Sequence, residues 1–416
     1  MCGDKVKKIT IYPSKIKGSV RISGSKNASL PIIAATLVTA HNSVLYNVPK
    51  ITDVTDLISI LNKTGSVCIF DKNKLTIKSG CEEGMLLFDE VKKFRASYYL
   101  MSVYLALFNR VTIYAPGGCT IGARPINFHL EGFLKAGCEI IRDDEIIEVK
   151  ANKLKPFIYE IPKKSLGTTV NLMILASKIE GKTILRNVSS EPEVDDLIKY
   201  LNKGSSSVYR YKDDLVIYGA KNFVKKIKHK VIPDRIEAFT FICIGLNSKK
   251  LKVKKIDTSH LKTPLNILLK SGANIKVNKN SVVVKKRSLT PFNVMSGDYP
   301  RLSTDQMPLL YPVASRIDGV SHFTEGIFED RFKVCEELLK VNKEIKIVKN
   351  EVWIKGNSEK ISDVEFYPSD LRGAASLLIE GVFNQNITIH NLYYLERGYE
   401  NIYYKTRKIG LRYAIY

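Results

Sequence analysis

Residues 26–66 read KNASLPIIAATLVTAHNSVLYNVPKITDVTDLISILNKTGS. A cation, Lys26, heads an apolar, small-residue run, ASLPIIAATL (28–37). A β-like stretch, SVLYNV (43–48), follows, and a second helical pattern closes near a glycine in LNKTGS (61–66). The first run is apolar almost all round, so as a helix it must be buried. In the second, Val54, Leu57, Ile58 and Leu61 recur at i, i+3, i+4 and i+7, the stripe of an amphipathic helix. Strand-like segments such as KLTIKSG (74–80) and SVVVKKRS (281–288) alternate in period two, so one face is wet.

The same order of elements returns five more times. Aligning Lys26, Arg95, Gly167, Arg235, Thr304 and Arg372 gives spacings of 69, 72, 68, 69 and 68 residues. Behind these anchors lie the runs ASYYLMSVYLAL, TTVNLMILAS, IEAFTFICIGL, DQMPLLYPVAS and GAASLLIEGVF. Then come RVTIYA, KTILRN or NITIHN, and closing patterns such as LKAGCE, LKSGAN and RKIGLR. A period this long is one αβ supersecondary unit, longer than the 20–50 residues of a solenoid turn. At 416 residues a single core is too large, and two domains of about 200 residues each are expected. Three units fit 22–232, and three fit 233–416 together with 1–21. The strand KKITIYPS (7–14) is expected to pair with the last unit, which makes the second domain discontinuous. The hinge regions are expected around 14–24 and 228–235, with a ligand cleft between the domains.

Composition bounds the function. The formal charge is +23, from 65 Lys+Arg against 42 Asp+Glu. Such a charge attracts nucleic acid or anionic substrates, yet the lysines are scattered and lack the aromatic interleaving of a strand-binding groove. A solvated lysine-rich surface is the expectation, with no nucleic acid. Seven cysteines, no CxxC and no signal-like apolar run in MCGDKVKKITIY point to a reducing cytosol. No apolar stretch approaches 18 residues, so no membrane span is expected. The six histidines are dispersed, and no metal or organic cofactor is expected. No protein partner is evident.

Chemistry belongs where one unit departs from the others. Gly24-Ser25-Lys26-Asn27 precedes a buried helix. Its N–H groups with Lys26 suit an anion, while the bland reading is an N-cap by Ser25. Residues 115–129, APGGCTIGARPINFH, form a glycine-rich loop carrying Cys119. A lone loop cysteine is usually incidental, but cations such as Arg124 can activate a thiol. Asp305 precedes a helix and by default would cap it. In Glu396-Arg397-Gly398-Tyr399, Gly398 is read as allowing a sharp turn that aims Arg397 inward. Arg95, Arg235 and Arg372 share one slot, so some of them are architectural.

Read in order, GSKNASLPIIAATL, FRAS, PGGCTIGARPI, EPEV, VIPDRIE, IFEDRF, DLR and ERGYE resemble the UDP-N-acetylglucosamine 1-carboxyvinyltransferases, enolpyruvyl transferases, nearly end to end. The resemblance implies an α/β fold, a two-domain inside-out α/β barrel of six βαβαββ-type repeats. It implies phosphoenolpyruvate and UDP-N-acetylglucosamine as substrates and phosphate as a product, with a role in peptidoglycan synthesis. Catalytic roles are implied for Cys119 as general acid, Asp305 as base, Lys26 and Arg397. Phosphoenolpyruvate binding is implied for Lys26, Asn27, Arg95, Arg124, Arg372 and Arg397. Sugar-nucleotide binding is implied for Asn27, Arg95, Arg124, Pro125, Ile126, Asn127, Phe128, Lys163, Ser165, Leu166, Gly167, Asp305 and Ile327. The family's usual acid after Arg-Pro-Ile is Asn127 here, and Arg301-Leu-Ser-Thr precedes Asp305 in place of the usual GFPT. A paralogue acting on another uridine nucleotide is therefore a second reading, and a non-catalytic basic binding protein a third.

Overall fold

The computed structural model describes residues 7–93, 95–115, 126–143, 145–328, 330–357 and 359–416. These divide into two compact units. One holds the described residues of 24–115 and 126–232, the other those of 7–23 and 233–416.

Six four-stranded sheets, three per unit, follow one plan. In the second repeat, Met85–Leu86 runs parallel to Arg110–Tyr114. That strand is antiparallel to Ile146–Lys150, which is antiparallel to Glu139–Arg142. The core helix Tyr99–Phe108 falls between the first two strands and the outer helix Asn127–Lys135 between the second and third. The chain order is thus βαβαββ.

Three strands are borrowed across the sequence. Lys17–Arg21 lies parallel to Lys250–Lys254 and serves as the first strand of the fourth repeat. Val224–Lys230 lies parallel to Ala40–Tyr46 and serves as the first strand of the first. Ile9–Tyr12 pairs antiparallel with both Ile387–Ile389 and Arg412–Ile415, completing the sixth sheet. Both connections between the units therefore fall between a first strand and the core helix that would normally follow it, at 23–24 and 232–233.

Each unit has its own apolar core. Helix Lys26–Thr39 is buried from Ala28 onward, and every residue of Arg235–Gly245 is buried. The outer helix Thr52–Lys63 buries Val54, Leu57, Ile58 and Leu61 and leaves its polar side wet. Phe239 and Phe241 are fully buried. Truncating either to Ala would cost about 3–5 kcal/mol through lost transfer energy and the cavity left behind.

The fifth core helix differs from the continuous helix read in DQMPLLYPVAS. Met307–Leu310 is a 3-10 turn and only Tyr311–Ala314 is α-helical. Pro308 and Pro312 each lack an N–H, so the backbone cannot sustain one uninterrupted ladder. Among the described residues no helix is long and apolar enough to cross a membrane.

Candidate active site

In the unit built from 24–232, Ser25 caps the helix Lys26–Thr39, accepting from the Ala28 N–H, and is buried rather than solvent-facing. Lys26, the first helical residue, extends Nζ to Asp53 Oδ2 at 2.9 Å. Asp53 sits in the first turn of Thr52–Lys63. The lysine side chain is 15% exposed and the aspartate 6%, so the cation lies nearer to solvent than its partner. Asn27 is half-buried beside it.

Two other candidate stretches belong to this unit. Arg95 opens the 3-10 turn Arg95–Tyr98 and is half-buried. Ser165 caps Leu166–Ala176, accepting from the Thr168 N–H at 3.2 Å. Lys163 is exposed, and Leu166 and Gly167 are half-buried. Between these stretches lies His129, buried, its Nδ1 2.9 Å from Asn171 Nδ2. Burial, with the nearby Arg95 charge, lowers His129 to about 3, so the ring is neutral at physiological pH. Ile126 is buried, Asn127 exposed at the head of its helix, and Phe128 half-buried against the core. Cys119, Arg124 and Pro125 lie outside the described residues.

In the other unit Asp305 is gripped by two arginines. Arg331 Nη2 donates to Asp305 Oδ1, and Arg372 Nη2 donates to Oδ2 at 3.0 Å. Asp305 is no helix cap: Gln306 flanks the following 3-10 turn, and no side chain caps it. The loop bearing Asp305 is fixed at Thr304. Arg331 Nε donates to the Thr304 carbonyl at 2.9 Å, and Thr304 Oγ1 donates to Glu325 Oε2 at 3.0 Å. Glu325 Oε1 also accepts from the N–H groups of Ile327 (2.8 Å) and Phe328 (3.2 Å). Ile327 is thereby held to the same carboxylate as Thr304.

Arg372 is buried at the head of Leu371–Phe383, which Asp370 caps by accepting from the Arg372 and Gly373 N–H groups. Burial alone would lower the Arg372 guanidinium, but Asp305, Tyr399 and Asp234 outweigh it and raise its pKa, so it stays charged. Arg331 Nη1 lies 3.7 Å from Asp370. Arg397 ends the short helix Tyr393–Glu396, and its charge opposes the rise that burial gives the Tyr394 phenol. One correction concerns Gly398: its backbone is not left-handed. The chain turns here through the Gly398 N–H to the Leu395 carbonyl (3.1 Å), without needing a left-handed residue, and a Cβ would come within 2.5 Å of Leu371 Cδ2, so the glycine also allows close packing on that side chain.

The segment carrying Arg397 is anchored by a buried charge cluster. Ser23 Oγ donates to Glu400. Lys405 Nζ reaches Ser23 Oγ at 2.7 Å and also pairs with Glu237. Ser23 N–H donates to Glu237 Oε2 at 3.0 Å. Burial raises the Glu237 carboxyl, and Lys405 opposes that rise.

The sequence reading missed Arg331, Glu325, Asp370, Asp53 and Lys405. Arg331 and Asp370 stand inside motifs already singled out, IFEDRF and DLR, and capping logic could have found Asp370. Nothing local links Asp53 to Lys26. Among the described residues no group of three or more His, Cys, Asp or Glu side chains is placed to hold a metal. A pocket of about 560 Å³, lined by Asn42, Val44, Thr76, Lys225 and Lys226, contains none of these candidates.

Six βαβαββ repeats, three in each of two compact units, are the fold of an enolpyruvyl transferase. Residues 11–405 match the family described as EPSP synthase (3-phosphoshikimate 1-carboxyvinyltransferase). UDP-N-acetylglucosamine 1-carboxyvinyltransferase from Fervidobacterium nodosum is 37% identical over 411 residues, covering 97% of this chain and 96% of that protein. The protein of that name from Pelagibacter ubique is 35% identical over 418 residues, covering 98% and 99%. Among solved structures, the enolpyruvyl transferase NikO from Streptomyces tendae gives a TM-score of 0.91 at 20% identity, covering 99% of both chains. EPSP synthase from Acinetobacter baumannii gives 0.76 at 16% identity, covering 99% of this chain and 100% of that one. At such identities these structures speak for the fold alone. The chain belongs to the enolpyruvyl transferase family and, within it, to the UDP-N-acetylglucosamine 1-carboxyvinyltransferases.

Proposed function

We propose that the protein transfers the enolpyruvyl group of phosphoenolpyruvate to the 3′-hydroxyl of UDP-N-acetylglucosamine, releasing phosphate, as a step of peptidoglycan synthesis. The observation that carries this reading is near end-to-end similarity to proteins named for that activity. The acceptor oxygen adds to C2 of phosphoenolpyruvate and gives up its proton, while C3 gains one. C3 then loses a proton as phosphate departs, restoring the double bond as an enol ether.

Asp305 takes or relays the acceptor proton. Its support is the geometry: a carboxylate about one-quarter exposed, aimed by Arg331 and Arg372, which are buried behind it. Cys119 supplies the proton to C3; this role rests on its motif. Lys26, Arg124 and Arg397 meet the anionic groups of phosphoenolpyruvate, where a cation lowers the energy of developing charge. Arg95 and Arg372 support that anion site from the same slot of their repeats. Residues 126–128, Lys163, Ser165, Leu166, Gly167, Asn27 and Ile327 face the sugar nucleotide.

The test is phosphate release from phosphoenolpyruvate with and without UDP-N-acetylglucosamine, with the enol ether identified by mass spectrometry. Release that ignores the sugar nucleotide would overturn the reading. Cys119→Ser should lose most turnover while Cys119→Asp keeps it, because a hydroxyl is a far weaker acid than either a thiol or a carboxyl.

A further inference from the structure

We propose that Tyr98 is a further substrate-contacting residue, its phenol hydroxyl meeting the diphosphate of the sugar nucleotide at the first turn of helix Leu166–Ala176. The proposal rests on the reaction read above and deepens it.

Tyr98 closes the 3-10 turn that Arg95 opens. It is half-buried, whereas the adjacent Tyr99 is buried. A Cβ built on Gly167 would fall 2.6 Å from Tyr98 Oη and 3.3 Å from Cζ. The hydroxyl therefore lies against the backbone of Gly167, one of the residues proposed to face the sugar nucleotide. Ser165 Oγ takes the Thr168 N–H. The N–H groups of Leu166 and Gly167 have no carbonyl within their own helix to bind, as at any helix start. Such an end draws an oxyanion, and one placed there would come within reach of the phenol. A phenol can accept one hydrogen bond and donate another, and Tyr99 already shares one with Tyr98.

The ring is held in place from two sides. It packs edge-on to His129, with centroids 4.8 Å apart and planes at 67°. The Tyr98 carbonyl accepts from Asn171 Nδ2 at 3.2 Å, and that amide also meets His129 Nδ1. Asn171 is fully buried, so the tether on the Tyr98 carbonyl is shielded from water. Because His129 is neutral, the positive charge of this corner comes from Arg95, and the phenol adds a donor without adding charge.

Calorimetry of UDP-N-acetylglucosamine and of UDP, on wild type and Tyr98→Phe, tests the proposal. The expected result is a Kd raised roughly tenfold for both ligands, the size of one hydrogen bond to a charged group. The KM for phosphoenolpyruvate should not move, whereas the melting temperature should fall somewhat because buried Tyr99 loses its bond to the hydroxyl. A merely structural tyrosine would raise both KM values together. Gly167→Ala should also weaken both ligands, and Tyr98→Phe in that background should recover part of the loss, since the hydroxyl is the nearest obstructing atom. An unchanged Kd in Tyr98→Phe overturns the proposal, as does a loss confined to UDP-N-acetylglucosamine, which would move the contact to the sugar. A wild type that binds the sugar nucleotide but releases no phosphate overturns the reaction instead, and the two Kd values still decide the contact. No binding by wild type overturns both.

Discussion

Asp53 and Asp305 each sit against a cation at the head of a core helix, with their burial reversed. Asp53 is the deeper partner, 6% exposed against 15% for Lys26. Asp305 is the more exposed partner, and Arg331 and Arg372 lie buried behind it. In the first pair the carboxylate aims a cation; in the second the cations aim a carboxylate. The repeat supplies the same slot for Lys26 and Arg372, so architecture alone does not decide which charge faces outward. The depth of the partner decides it. A buried arginine with its planar fork can fix a carboxylate in one orientation, while a lysine is a compact point charge that its partner must hold.

The comparison is broken most directly at Asp305. Asp305→Asn keeps the shape and one hydrogen-bond acceptor but removes the base. Turnover should fall by about 10²–10⁴, the usual worth of a positioned proton acceptor. Sugar-nucleotide affinity should change far less. A variant within threefold of wild type in phosphate release would remove Asp305 from proton transfer.

Arg331→Lys comes next. A lysine cannot hold Thr304 and Asp305 at once, because it lacks the fork. Turnover should drop about tenfold to a hundredfold, and the melting temperature should drop with it, since Thr304 and Asp370 also lose their partner. Full activity in a folded Arg331→Lys protein would mean that one charge suffices to orient the aspartate. Asp53→Asn should do less. It leaves an oxygen for Lys26 but removes the opposing charge, so the KM for phosphoenolpyruvate should rise several-fold, with about 1 kcal/mol lost from stability. If Asp53→Asn were silent in steady-state kinetics, Lys26 would be aimed by its helix alone.

How much of this was written in the chain depends on range. The repeat and the burial of Val54, Leu57, Ile58 and Leu61 were legible because period and amphipathicity are local. The full βαβαββ order was not: local pattern marks a helix, a strand, a second helix and a further strand, and the resemblance supplied the rest. The pairing of Lys26 with Asp53 spans 27 residues and that of Arg372 with Asp305 spans 67, and no spacing rule reaches so far. The Asp305 cap was misread for a related reason. A residue before a helix defaults to capping, and only Arg331 and Arg372, placed by other parts of the repeat, claim its oxygens. Gly398 misled in part, because a glycine packed on Leu371 looks in sequence like one chosen for a left-handed turn.

A third buried polar group sharpens the comparison because it carries no charge. His129 titrates near 3, below its ordinary 6.5, since burial and the Arg95 charge disfavour the imidazolium. The unfolded chain takes up a proton near pH 6.5, and the folded chain does not until about pH 3. The unfolded state therefore binds more protons throughout that window, and stability falls as pH falls through it. The contribution is fully present above pH 6.5. Below it the loss should be on the order of 1 kcal/mol per pH unit, the scale of a shifted titration. His129→Gln keeps a group able to meet Asn171 but cannot titrate. Urea unfolding at pH 7 and pH 5.5 should show wild type losing about 1 kcal/mol more than the variant between the two. The pH profile of turnover should show no limb near 6.5 assignable to His129. Parallel stability profiles for wild type and His129→Gln would mean that the imidazole accepts its proton in the folded protein. The corner around Tyr98, His129 and Arg95 would then carry a second positive charge at mildly acidic pH, and its affinity for an anion should rise there.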